Sequence, residues 1–216
     1  MPRTVTKEVF QYDELTPKAQ EKARDWFRDM LDRTADNEFA EPVMEEAERV
    51  AGMLGITFKP TRGGDPVSWS GFYSQGDGAS FEGRYAAPEK PAFETIKAEF
   101  PTELKLQAIA AELDAFQDRH GRRLVADITR NGRSNYVHAY TVDIDVCEQD
   151  EAADDGLVNV SPTTEKAIAD ELRNFMGWIW DQLREAYEGD REDETVADNI
   201  RANEYEFEAD GTRTRD

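Results

Sequence analysis

Cysteine is all but missing: Cys147 is the one cysteine in 216 residues. A disulfide within the chain is excluded, as is a zinc site built on cysteine. Histidine is nearly as scarce, with His120 and His138 alone. No apolar run approaches the ~20 residues that cross a bilayer. The opening Met-Pro-Arg-Thr-Val-Thr-Lys-Glu has no apolar stretch of the signal-peptide kind. A cytoplasmic protein with no membrane partner is expected. Bases are outnumbered, 26 Lys and Arg against 47 Asp and Glu, for a net charge of −21. Phosphate contacts need Lys and Arg, so direct binding to nucleic acid or an anionic membrane is disfavoured. A basic protein surface is what such a charge attracts. Solubility or a salt-rich host would produce the same acidity.

What is present suffices for a core. The hydrophobic fraction is 38%, and four tryptophans argue against disorder. The chain is organised around Val67 to Tyr85, two alternating runs flanking the polar turn Ser74-Gln75-Gly76-Asp77-Gly78. In the second run Ala79, Phe81 and Tyr85 point one way and Ser80, Glu82 and Arg84 the other, predicting a hairpin. A second hairpin is predicted from Leu124 to Thr129 and Tyr136 to Cys147, turning at Asn131-Gly132.

Before the first hairpin, Val5 to Tyr12 reads as an edge strand and Ile56 to Arg62 as another strand, broken at Gly63. Helices are predicted from Pro17 to about Leu31 and from about Asn37 to Leu54, with Phe39 and Val43 in the second stripe and Pro42 in its first turn. Others cover Ala92 to Phe100, Thr102 to His120 and about Thr195 to Ala202. The most hydrophobic helix follows Ser161-Pro162. Its stripe includes Ile168, Leu172, Phe175, Ile179 and Leu183, and Trp178 and Trp180 cannot both share one face. Residues 148–160 and 188–194 read as acidic loops, and 208–216 as a polar tail. The sum is an α+β fold in one domain, an antiparallel sheet built from two hairpins with helices packed on one face.

No stretch carries a strong catalytic signature, so a non-enzymatic protein without a cofactor is expected. The turn at Gly76-Asp77-Gly78 lacks the Lys-Ser/Thr of a P-loop and the spaced acids of an EF-hand. Its glycines serve a hairpin turn for backbone reasons alone. Its aromatic framing goes further: Trp69, Phe72, Tyr73, Ser74, Gln75, Gly76, Asp77 and Gly78 are the candidate binding residues, a mixture suited to a recognition surface. A metal, if one binds, would draw on Asp77, Glu82, Asp143 or Asp145. The last two share a strand face that otherwise reads as solvated. Cys147 lies beside Glu148, which disfavours a reactive thiolate.

Several of these stretches together resemble a family of bacteriophage and prophage proteins, often labelled antitoxin of a toxin–antitoxin stability system. They are Tyr12-Asp13-Glu14-Leu15, Trp26-Phe27, Gly52-Met53-Leu54-Gly55-Ile56, Asp143-Ile144-Asp145-Val146 and Asn203-Glu204-Tyr205-Glu206-Phe207. The most specific is Ser70-Gly71-Phe72-Tyr73-Ser74-Gln75-Gly76-Asp77-Gly78. The resemblance spans nearly the whole chain. It implies phage origin and an accessory role in the host cell, and it brings no catalytic residue with it.

The leading expectation is therefore a phage-encoded acidic protein that binds and neutralises a host protein, a toxin or an anti-phage defence factor, with a basic nucleic-acid-binding protein as the partner its charge favours. The alternative is binding or metal-dependent hydrolysis of a nucleotide or phosphate ligand at the Gly76-Asp77-Gly78 turn with Asp143 and Asp145. A homodimeric structural component is a third reading.

Overall fold

The computed structural model describes residues 7–34, 37–60, 64–132, 136–154 and 156–214. In chain order these residues form α1 (Pro17–Thr34), α2 (Ala40–Leu54), β1 (Ile56–Lys59), β2 (Ser68–Ser70), β3 (Gly78–Ser80) and β4 (Glu82–Ala86), then α3 (Ala92–Glu99) and α4 (Leu104–Arg119). They continue with β5 (Leu124–Arg130), β6 (Val142–Gln149), β7 (Leu157–Asn159), α5 (Pro162–Gly189) and α6 (Asp193–Ala202). The fold is α+β, as the order of elements implies. The chain divides into two compact units, residues 41–184 and the paired ends 1–40 with 185–216.

The 41–184 unit holds an antiparallel sheet in the order β1-β4-β5-β6-β7 and a separate two-stranded pair, β2 with β3. Both expected hairpins exist, but in different sheets. The run from Ala79 to Tyr85 breaks at Phe81, whose buried ring lies 4.7 Å from Phe58 and 5.9 Å from Phe175. Anchored there, the chain leaves β3 and enters the larger sheet as β4. Alternation then sets the faces: Val142, Ile144 and Val146 are buried while Asp143 and Asp145 are exposed.

Helices α4 and α5 supply much of the core, with Leu106, Ile109, Leu113, Ile168, Leu172, Phe175 and Ile179 buried. Two buried polar groups bind the helices in place. Gln117 exchanges two hydrogen bonds with the Leu124 backbone, at 2.9 and 3.1 Å, and its amide also donates to the Tyr85 hydroxyl at 3.0 Å. Asp114 accepts the first amides of α3, Ala92 N at 3.0 Å and Phe93 N at 2.8 Å, capping that helix from a different one.

The unit built from the chain ends packs α1 against α6 around Ala23, Phe27, Ile200 and Phe207, with Trp26 edge-on to Tyr205 and Phe207. The predicted N-terminal strand is reduced to one bridge between Phe10 and Phe207, and Val5 lies outside the described residues.

Other differences have local causes. Helix α2 starts at Ala40, so Phe39 sits in the preceding turn and packs on Tyr187 at 5.5 Å, and Pro42 does fall in the first turn. The β5–β6 connection is longer than a two-residue turn: Asn131 N donates to Thr141 O, and β6 begins at Val142, leaving Tyr140 outside the strand. The acidic segment 148–160 is not one loop, because Glu148 and Gln149 complete β6 and Leu157–Asn159 pairs with it as β7. Between 188 and 194 only a short turn separates α5 from α6. The tail folds back, with Thr214 buried and its hydroxyl donating to Glu206 O at 2.9 Å. Arg62, Gly63, Asp155 and residues 215–216, which those expectations include, lie outside the described residues.

Candidate functional site

The loop between β2 and β3 is held by one carboxylate. Asp77 Oδ2 accepts the amide of Ser74 at 2.6 Å and that of Tyr73 at 3.0 Å, while Asp77 N donates to Ser74 O. Gly71, with φ +23°, brings its backbone so close to this carboxylate that a Cβ would meet Oδ2 at 2.5 Å. The amides of Tyr73, Ser74 and Asp77 are thus bonded within the loop itself and not turned toward an anion.

The aromatic framing is real but two-sided. Trp69 stacks on Phe72 at 5.5 Å, and Phe72 lies 6.0 Å from Trp180 of α5. The Trp180 indole donates to Gly71 O at 3.0 Å, tying the helix to the loop. Tyr73, Ser74 and Gln75 stand exposed at the loop tip, whereas Gly78 is buried.

Residues 136–140 meet this loop from the β5–β6 connection. A Cβ on Gly78 would lie 2.6 Å from His138 Cβ, and one on Gly76, with φ +96°, 2.8 Å from the Tyr136 ring. Both glycines are needed for close approach, beyond any turn requirement. His138 N and O bond the Thr141 hydroxyl, and His138 Nδ1 accepts the Tyr140 amide at 3.1 Å. With Nδ1 accepting, Nε2 is the ring nitrogen left to donate.

Between the two segments and α5 lies a cavity of about 360 Å³, mainly apolar, lined by Asp77, Ala79, His138, Tyr140, Gly177 and Trp180 among others. Tyr140, 74% exposed, lines it; Tyr136, 62% exposed, packs on its Gly76 wall, and Tyr73, 75% exposed, stands at the tip of the same loop. Gly177 is unusual. A glycine inside a helix costs stability, yet a Cβ here would find only Lys105 Nζ, at 3.8 Å. Packing does not demand the glycine, and the cavity opens over it.

The other predicted positions fall elsewhere. Glu82, on β4, pairs with Lys59, and Asp143 and Asp145 lie on the exposed face of β6, apart from the loop. Among the described residues no three His, Cys, Asp or Glu side chains form a metal-holding group. The expected split of the two tryptophans holds: Trp178 is buried, bonded to Glu103 at 3.0 Å, and Trp180 faces the cavity. The sequence offered little sign of Tyr136, His138 or Tyr140 as site residues, because they read as strand. Gly177 inside the most apolar helix was the available signal.

A family model for a domain of unknown function, DUF8835, matches residues 39–193. The chain belongs to this family. The matched region takes in the whole cavity and its rim, and most of the end-built unit lies outside it. Neither a curated protein nor a solved structure matches the chain. No described helix is long and apolar enough to cross a membrane.

Proposed function

We propose that this chain is a non-enzymatic acidic protein that binds and neutralises a host protein, a toxin or an anti-phage defence factor, through the aromatic rim beside the Gly76–Gly78 loop. The observation that carries the reading is an apolar cavity lined by Trp180 and by Tyr140, 74% exposed, with the exposed Tyr136 packed on its Gly76 wall and the exposed Tyr73 at the tip of the same loop. Tyrosine buries large area at low entropic cost, and exposed aromatic rims of this kind are what binding surfaces are made of. The net charge of −21 supports a basic partner, such as a nucleic-acid-binding protein, by steering its approach. The likeness to phage proteins supports the neutralising role. The loop's internally bonded amides argue against the nucleotide or phosphate alternative.

The test is capture of partners from host lysate on the tagged full chain at low and high salt, with Tyr140→Ala, Trp180→Ala and Gln75→Ala variants alongside. Whatever is identified is then purified and assayed with and without this protein. One stoichiometric partner, lost in the Tyr140 and Trp180 variants and inhibited on binding, is the expected result. A partner held equally by those variants, or unaffected in activity, overturns the proposal.

A further inference from the structure

We infer that Asn131 is a site of spontaneous deamidation, closing with Gly132 to a succinimide that water opens to aspartate and isoaspartate. It is the one asparagine in the chain followed by glycine. That pair favours a two-residue turn with positive φ at both positions. Neither residue has positive φ here, because the β5–β6 connection is longer than such a turn. Gly132 is exposed, and its amide donates to no described residue. A Cβ on it would meet nothing within 4 Å, so the peptide is uncrowded there. Asn131 Nδ2 reaches Asp143 Oδ1 only at 3.5 Å, the long end of a hydrogen bond.

The step is redox-neutral. The Gly132 nitrogen gives its proton to solvent base and bonds to Asn131 Cγ. The Cγ–Nδ2 bond breaks, and Nδ2 leaves as ammonia with a proton from solvent. Water then adds to one of the two ring carbonyls. Attack at Cγ restores the peptide and leaves an aspartate. Attack at the backbone carbonyl breaks the original peptide bond, and the chain then runs through Cγ as isoaspartate, one methylene longer. The Asp-Gly pairs at 77–78 and 210–211 close the same ring in principle, but both are held. Asp77 ties two loop amides and Gly78 is buried, and Gly211 N donates to Glu208 O at 2.9 Å.

The product changes the surface it stands on. Asn131 N donates to Thr141 O at 2.9 Å, closing the connection that brings Tyr136 and His138 against Gly76 and Gly78. A carboxylate where the amide stood faces Asp143, with Asp145 further along the same exposed face. Like charges so close repel, and isoaspartate adds backbone length at the same point. Deamidation therefore loosens the base of the connection and shifts the residues it carries. The chemistry is independent of what the cavity binds.

The test ages the purified full chain in warm, mildly alkaline buffer and follows its peptides by mass spectrometry, with isoaspartate separated from aspartate by chromatography. Asn131 should convert at least about tenfold faster than any other asparagine, give both isomers and speed up with rising pH. Gly132→Ala should slow it about tenfold, by crowding the attacking nitrogen. Its melting temperature should not change, since the new Cβ has room. Asn131→Asp should move the His138 and Tyr140 amide resonances, and the aged protein should reproduce that movement. Conversion no faster than at the exposed Asn159 and Asn203, or equally fast in the Gly132 variant, overturns the modification site. Unmoved His138 and Tyr140 resonances in Asn131→Asp overturn its coupling to the cavity.

Discussion

Ser74 and Asp77 are locked to each other across three residues: the Ser74 amide donates to Asp77 Oδ2 at 2.6 Å, and the Asp77 amide returns to Ser74 O at 3.1 Å. The same carboxylate also takes the Tyr73 amide. One side chain thereby ties together the tip that presents Tyr73. Replacing Asp77 by Ala should cost about 1–2 kcal/mol, the range for charge-assisted bonds at a partly exposed site. It should also speed hydrogen exchange at Ser74. Asp77→Asn should retain part of both, and unchanged exchange in the alanine variant would contradict the assignment.

Two glycines of the cavity should respond oppositely to alanine. Gly78→Ala forces a Cβ to within 2.6 Å of His138 Cβ and should destabilise by roughly 1–3 kcal/mol. Gly177→Ala has room and removes a helix-breaking residue, so stability should rise by about 0.5–1 kcal/mol. Urea unfolding of the two variants checks both signs.

Alkaline pH should expose Tyr85. Burial, partly offset by the bond from Gln117, pushes its hydroxyl up from 10 to about 12. The folded value lies above the unfolded one, so its contribution is intact below pH 10 and is lost as pH rises from 10 towards 12. The difference corresponds to roughly 2–3 kcal/mol. Tyr85→Phe should remove this part of the pH profile, which denaturant midpoints between pH 9 and 12 would reveal.

At the acid end Glu148 should matter. The hydrogen bond from His120 Nδ1 at 2.8 Å, with the Arg123 cation beside it, holds its carboxyl below the usual glutamate range. Its contribution is present above the ordinary value of about 4.3 and fades as pH falls through the lower folded value. Wild type should lose stability over that window more steeply than Glu148→Gln, and parallel curves would argue against it.

On the exposed sheet face Asp127 stands directly opposite Asp145. Like charges paired across strands repel, so Asp145→Thr should stabilise by about 0.5 kcal/mol at low salt. The gain should shrink in 1 M salt, where the screening length is about 3 Å. Unfolding at two ionic strengths decides it.

Composition and periodicity by themselves determined the α+β class, the helices, both hairpins and the inward face of β6, because these follow from repeats of 2 and 3.6 residues that any burial must respect. Asp77 and its glycines were legible as a loop of interest for the same local reason. What only the tertiary structure decided is the cavity. Tyr136, His138 and Tyr140 read as strand but lie outside β6, where Gly76 and Gly78 leave room for them to approach. Gly177 and Trp180 come from a helix about a hundred residues beyond the Gly76–Gly78 loop. Convergence across such separations is set by which surfaces pack together, and no local pattern encodes it.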